Sequence, residues 1–196
     1  MMDWRKVIRR SVAILLILVL ALLCGFLYQL IWDAIDRERY PQKYSEYVSE
    51  YSIAYGVPEY IIYAVIKTES NFSSNAVSSA GAVGLMQITP DTFDYISMLM
   101  KRSSDTGLLY DPRTNIEYGT YLLSYLYMQY NRWDTVFAAY NAGISRVDSW
   151  LTDPDITDKE GRLTRIPYEE TRRYIKKVND AIRVYKRLYY SDALYR

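Results

Sequence analysis

The sequence contains no histidine and only one cysteine among its 196 residues. Without histidine, a Ser-His-Asp triad, a Cys-His pair and zinc sites that use histidine are excluded. One cysteine allows neither an internal disulfide nor a CxxC site. The glycine-rich loops that bind phosphates and the S-x-x-K acylation motif are also missing. The chemistry open to this chain therefore depends on carboxyl groups, tyrosines, amides and backbone groups.

Charge is distributed unevenly along the chain. The formal net charge is +1, but residues 1–31 carry +3, residues 32–158 carry −8 and residues 159–196 carry +6. The acidic middle argues against nucleic acid as a partner. The basic C-terminal part could contact an anionic polymer or a lipid surface, but a solvated helix face is the simpler interpretation. The length predicts one domain, or one domain with an appendage.

An apolar run of 19 residues extends from Val12 to Leu30. As an α-helix it would measure roughly 28 Å, about the hydrocarbon thickness of a bilayer. Four basic residues precede it, which predicts a cytoplasmic N-terminus and an external C-terminus. A cleavable signal peptide is the alternative, but its apolar region would be shorter, and no small-x-small site ends this run. Cys24 follows Leu23 rather than a small residue, so we interpret it as an apolar side chain in lipid.

The rest of the chain is predicted to be mostly α-helical. Apolar residues and tyrosines recur at three- and four-residue spacing, and prolines open several of the segments. The predicted helices are 40–55, 58–70, 89–99, 112–130, 134–140, 145–151 and 167–190. Thr89 and Asp134 are the expected N-caps of two of them. Polar loops are predicted at 71–83, 101–111 and 152–166, and a short strand pair around 83–88 is an alternative to a purely helical domain.

Glu69 is the first candidate for chemistry. It follows Val65 by four residues and Ile66 by three, so it shares the apolar side of its predicted helix. It also lies in the last turn, where the helix dipole disfavours a negative charge by about 0.3–1 kcal/mol. Both effects raise its pKa, and a carboxyl group protonated near neutral pH can act as a general acid. From spacing alone, a structural ion pair is an equally good interpretation.

Three further segments combine small, amide and aromatic residues. In Gly84–Ile88, a glycine permits close backbone approach before the amide of Gln87. Ala139–Gly143 places an aromatic ring and an amide at a helix end, which suits an amide-bearing ligand. Glu170–Tyr174 lies on the last helix, where Tyr174 points either to a cleft or into the core. Taken singly, each segment also fits a loop, a helix terminus or a core position.

Together with Glu69-Ser70, these segments resemble in order and spacing the signature of the soluble-lytic-transglycosylase-type (SLT) domain, a relative of goose-type lysozyme. The similarity covers roughly residues 44–185. The resemblance implies a mostly α-helical, lysozyme-like domain with a cleft for glycan strands, behind one N-terminal transmembrane helix. The expected division of the chain is a cytoplasmic basic N-terminus (1–11), a transmembrane anchor (12–31), a juxtamembrane linker (32–43), a lytic-transglycosylase-like catalytic domain (44–190) and a C-terminal tail (191–196).

The resemblance also implies roles for individual residues. Glu69 matches the catalytic acid/base, and Ser70 a hydrogen-bond partner of the substrate or of that carboxyl group. The implied substrate-binding residues are Met86 and Gln87 beside the scissile bond, Tyr140 and Asn141 on a second wall, with Asn141 near an N-acetyl group, and Tyr174 close to the catalytic carboxyl. The resemblance implies neither a metal nor a cofactor.

The implied reaction is cleavage of the MurNAc-β-1,4-GlcNAc bond of peptidoglycan, with formation of a 1,6-anhydro-MurNAc end. Most glycosidases use two carboxylates. These motifs contain one, and spacing places neither Asp91 nor Asp94 opposite Glu69. The expected protein is a murein lytic transglycosylase anchored in the bacterial cell membrane with its catalytic domain outside the cytoplasm. Its expected partners are glycan strands and the membrane. A hydrolytic muramidase of the same fold and a non-catalytic glycan-binding envelope scaffold are the alternatives.

Overall fold

The structure, a computed structural model, describes residues 4–190. The first three residues of the predicted cytoplasmic segment and the whole predicted C-terminal tail (191–196) therefore lie outside the described residues. The chain divides into two compact units, Met1–Pro41 and Gln42–Arg196.

The first unit contains one long helix, α1, from Trp4 to Arg39. Its segment Val12–Arg39 is long and apolar enough to cross a membrane. Residues 32–39, predicted as part of a linker, continue the helix, and Gln29 donates a hydrogen bond to Asp33 (3.0 Å) one turn later. At 1.5 Å per residue these residues extend only about 12 Å.

The second unit is helical, as the sequence predicts. Its helices are α2 (Ser45–Tyr55), α3 (Glu59–Ser70), α4 (Pro90–Met100), a 3-10 helix (Thr106–Tyr110), α5 (Pro112–Tyr130), α6 (Trp133–Ala142), α7 (Ile144–Leu151) and α8 (Glu169–Tyr189). Within residues 42–190, β-structure is limited to isolated antiparallel bridges. Two of these join Val83 to Val77 and to Ile88, where the sequence allowed a strand pair. The mostly α fold class is confirmed.

The core forms where α3 packs against α8 and where α5 packs against α2 and α6. The α3 residues from Ile61 to Ile66 are all buried, because α2 and α8 both cover this helix. Tyr63 of α3 stacks on Tyr185 of α8, with ring centroids 5.3 Å apart. Further along α3, Glu69 interacts with Tyr174, which precedes Tyr185 in α8. The two helices therefore run antiparallel, which brings the end of α3 to the first turns of α8.

Some helix starts differ from the predicted ones because nearby residues have other conformations or partners. Tyr44 has a left-handed backbone (φ 60°), so α2 begins at Ser45 and not at residue 40. The prediction that Asp134 caps a helix is wrong, because it lies inside the first turn of α6 and accepts a hydrogen bond from Asn179 (2.8 Å). Thr89 caps α4 as predicted and accepts a backbone hydrogen bond of 3.2 Å.

Candidate active site

Glu69 lies in the last turn of α3, directly before Ser70 ends the helix. Its side chain is partly exposed. Loss of hydration raises the pKa of its carboxyl group from 4.5 to about 7, because burial disfavours the charged form. This is the direction that the helix position predicts. A carboxyl group with this pKa is about half protonated at neutral pH, so it can donate a proton and later accept one.

Two tyrosine hydroxyls border this carboxyl group. Tyr174 of α8 favours the carboxylate form of Glu69 and lowers its pKa, but less than burial raises it. Among the described residues, the buried Tyr174 hydroxyl has no hydrogen-bond partner of ordinary length and angle. Tyr140 of α6 donates to the carbonyl oxygen of Met86 (2.7 Å). Burial, and then the negative charge of Glu69, raise the pKa of both phenols well above 10, so both remain donors.

The segment Gly84–Ile88 forms a tight turn that is tied to the end of α3. The Ser70 hydroxyl donates to the carbonyl oxygen of Leu85 (2.8 Å). Gln87 has a left-handed backbone (φ 50°), and its side-chain amide donates to two backbone carbonyl oxygens at 2.9 and 3.1 Å. The position of this turn is therefore fixed relative to the residue that follows Glu69.

Asn115 of α5 is a residue that the sequence analysis missed. Its side chain is fully buried and bonds three backbone groups. It donates to the carbonyl oxygens of Val83 (3.0 Å) and Leu109 (2.8 Å), and it accepts from the Met86 N–H (2.7 Å). Gly84 is so close that a β-carbon there would lie 2.3 Å from the Asn115 amide nitrogen. In the sequence, the one signal for this role is a polar residue among the inward-facing positions of α5.

The predicted substrate-binding residues differ in their burial and in their contacts. The Met86 side chain does not line a cleft as predicted, because it is fully buried and packs against Gly119, where a β-carbon would lie 2.4 Å from its sulfur. Ser70 donates its hydroxyl to backbone carbonyls, which is a structural use. Asn141 is half-buried near the end of α6, and its amide makes no hydrogen bond to a described residue. Contacts of Ser70 and Asn141 with a substrate stay predictions.

A groove of about 260 Å³ continues from the turn and from Tyr140. Its polar lining comes from the turn and from α4, and its apolar lining from the turn, α5, α6 and α7. The lining residues are Gln87, Ile88, Thr89, Asp91, Thr92, Tyr95, Leu122, Leu126, Ala139, Tyr140, Gly143 and Ile144. One polar wall and one apolar wall suit a sugar ring, which has hydroxyl edges and apolar faces. A larger cavity of about 650 Å³, between α2, α3 and α8, contains none of the predicted site residues.

In the part of the chain that the structure describes, Glu69 has no second carboxylate close enough to change its pKa. Asp91 and Asp94 are both exposed on α4. Retaining hydrolases hold their two carboxyl groups about 5–5.5 Å apart, a distance at which one charge would raise the pKa of the other. Residues 4–190 also contain no group of three or more Cys, Asp or Glu side chains placed to hold a metal ion.

A helical domain that holds one partly protonated carboxyl group near a tyrosine, Tyr140, that also lines a groove has the organisation of a lysozyme-like domain. The family model described as "Transglycosylase SLT domain" matches residues 46–162. The chain belongs to this family, as the four sequence segments predict.

Relatives and solved structures agree with this assignment. The chain is 36% identical over 153 residues to the soluble lytic murein transglycosylase of Escherichia coli K12, covering 76% of this chain and 23% of that protein. It is 33% identical over 180 residues to membrane-bound lytic murein transglycosylase C of Photorhabdus laumondii, covering 80% of this chain and 50% of that protein. The crystal structure of the 70 kDa soluble lytic transglycosylase of E. coli matches with a TM-score of 0.70 and 34% identity, over 78% of this chain and 25% of that one. The chain thus spans about half or less of the length of these relatives.

Proposed function

We propose that this protein is a membrane-anchored murein lytic transglycosylase, with Glu69 as its catalytic acid/base. It would cleave the MurNAc-β-1,4-GlcNAc bond of peptidoglycan and leave a 1,6-anhydro-MurNAc end. The proposal rests above all on the Glu69 carboxyl group, whose pKa burial raises to about 7 and whose charge acts on two tyrosine hydroxyls. Among the residues that the structure describes, no second carboxylate affects the pKa of Glu69. Membership of the SLT family and the names of the relatives support the choice of substrate.

In the proposed reaction, protonated Glu69 donates its proton to the oxygen between the two sugars as the bond from C1 of MurNAc to that oxygen breaks. The N-acetyl group of MurNAc stabilises the positive charge on C1, in place of a second carboxylate. The Glu69 carboxylate then takes the proton of the C6 hydroxyl of the same sugar, and the C6 oxygen bonds to C1. Glu69 ends protonated, as it began, and no water is consumed.

The nucleophile in this scheme belongs to the substrate, so the enzyme gains from proximity without binding a water molecule. Well-oriented intramolecular reactions can save about 7–11 kcal/mol of barrier. We propose that Tyr140, Gln87 and Asn141 hold the sugar in that orientation. Gln87 and Tyr140 line the groove. The Asn141 amide, near the end of the same helix as Tyr140, makes no hydrogen bond to any of residues 4–190. Tyr174 would stabilise the Glu69 carboxylate between the two proton transfers.

We propose that residues 12–31 anchor the protein in the cytoplasmic membrane, with the N-terminus in the cytoplasm and the catalytic unit outside. The apolar length of α1, the basic residues before it and a relative that is named membrane-bound support this topology. Only residues 40–44 separate α1 from α2, and five residues span at most about 18 Å. We therefore expect the enzyme to act on glycan strands close to the membrane.

Glu69→Gln tests the proposal, because the amide keeps the shape of the protonated acid but cannot exchange its proton. With purified sacculi, the variant should release muropeptides at least about a hundredfold more slowly than wild type while keeping its far-UV circular dichroism. Glu46→Gln, on the exposed side of α2, is the matched control and should keep full activity. Undiminished release by Glu69→Gln would remove the assignment.

The hydrolytic alternative differs in its products. A muramidase would add water and leave a reducing end, one water heavier than the anhydro end. A non-catalytic scaffold would release nothing from sacculi, with or without Glu69. Mass spectrometry of the released muropeptides therefore separates all three functions.

A further inference from the structure

A chain of hydrogen bonds connects the interior of α5 to the candidate acid. The side-chain oxygen of Asn115, which is fully buried, accepts a hydrogen bond of 2.7 Å from the backbone N–H of Met86. The carbonyl oxygen of Met86 accepts a hydrogen bond of 2.7 Å from the Tyr140 hydroxyl. Tyr140 in turn lies close enough to Glu69 to respond to its charge. The two backbone groups of one residue thus join a buried amide to a phenol at the site.

We infer that Asn115 is a positioning residue, which fixes the Gly84–Ile88 turn so that Met86 holds the Tyr140 hydroxyl beside Glu69. The inference rests on the proposed function and adds a residue that touches neither the substrate nor the reacting atoms.

The geometry of Asn115 suits this task better than a general packing role. Its carboxamide satisfies three backbone groups from two separate segments, Val83 and Met86 on one side and Leu109 on the other. A carboxamide can donate twice and accept at the same time, which neither a carboxylate nor a hydroxyl of this reach can do. An apolar side chain would take this partner away from the buried Met86 N–H and Leu109 carbonyl, whereas the Val83 carbonyl would keep the N–H of Ile88 (3.1 Å).

The neighbours of Asn115 leave the turn little freedom. Gly84, with φ 82°, has room for no β-carbon, because one would lie 2.3 Å from the Asn115 amide and 2.5 Å from the Leu109 oxygen. One turn of α5 further on, Gly119 contacts the Met86 side chain in the same way. Met86 is therefore held by its side chain, which packs against Gly119, and by its backbone, which bonds Asn115 through the N–H and Tyr140 through the carbonyl oxygen.

A double-mutant cycle separates positioning from simple stability. Asn115→Asp keeps the side-chain volume but loses one or both donors, and Asn115→Ala removes the carboxamide. With glycan strands as substrate and full-length protein in detergent, either change should lower kcat/KM per folded molecule by about tenfold to a hundredfold. In a Tyr140→Phe background, where the hydroxyl is already absent, the same change should cost no more than about threefold.

The control cycle uses Tyr130→Phe, which removes a hydroxyl that donates to Asp148 on another part of the domain. In the Tyr130→Phe background, each Asn115 substitution should lower kcat/KM by the same factor as in the wild-type background, so that the two effects multiply. If they also multiply with Tyr140→Phe, or if both Asn115 variants merely fail to fold, Asn115 is structural and the inference is overturned. Full activity of Glu69→Gln would instead overturn the proposed function, whatever the result of the cycle.

Discussion

Replacing Glu69 by Gln should stabilise the protein, and the gain should increase with pH. The folded protein raises the pKa of this carboxyl from 4.5 to about 7. Between these values the folded state binds more protons than the unfolded state, so its stability falls as pH rises. One pKa unit corresponds to about 1.4 kcal/mol, so wild type loses about 3 kcal/mol above neutral pH. The glutamine variant carries no proton to lose and should escape this cost.

The assay is urea denaturation of detergent-solubilised full-length protein, followed by tryptophan fluorescence at about pH 4.5, 6 and 8. Wild type and Glu69→Gln should have nearly equal stability at the lowest pH and differ by about 3 kcal/mol at the highest. Glu46→Gln, the exposed control, should differ from wild type by the same small amount at every pH. A Glu69→Gln difference that does not change with pH would refute the argument that burial keeps this carboxyl protonated.

Three further predictions follow from the same contacts. Tyr174→Phe should move the fall of kcat/KM with rising pH to a higher pH, because its hydroxyl lowers the pKa of Glu69; an unmoved profile would contradict this. Gly84→Ala should cost about 1–3 kcal/mol of stability more than Gly161→Ala, because both have positive φ but only Gly84 contacts Asn115 and other atoms; equal urea midpoints would count against the close packing. Activity should survive dialysis against EDTA, because every proposed proton transfer uses Glu69 and the substrate; loss that added metal restores would require a different mechanism.

The part of the site that follows from helix periodicity could be predicted from the sequence. Glu69 shares its helix side with Val65 and Ile66, which places it at the edge of the core and raises its pKa. The position of Thr89 before a proline likewise predicts the start of α4. Both predictions need only local spacing, and the structure agrees with both.

The parts that depend on contacts between distant segments could not be predicted. Asn115 looks like any polar residue of an amphipathic helix, because its partners Val83 and Leu109 meet it only after the loops fold. Met86 lies in a segment that forms part of the site, but its side chain packs against Gly119 in the core. Asp134 has the right residue type for a cap, yet α6 begins one residue earlier and α8 supplies it with another partner.

The central claim is that the nucleophile comes from the sugar and not from water. Digestion of purified glycan strands in water labelled with oxygen-18, followed by mass spectrometry of the new ends, tests it directly. The account predicts anhydro ends that contain no heavy oxygen. New reducing ends that each carry one heavy oxygen atom would contradict it and identify a hydrolase.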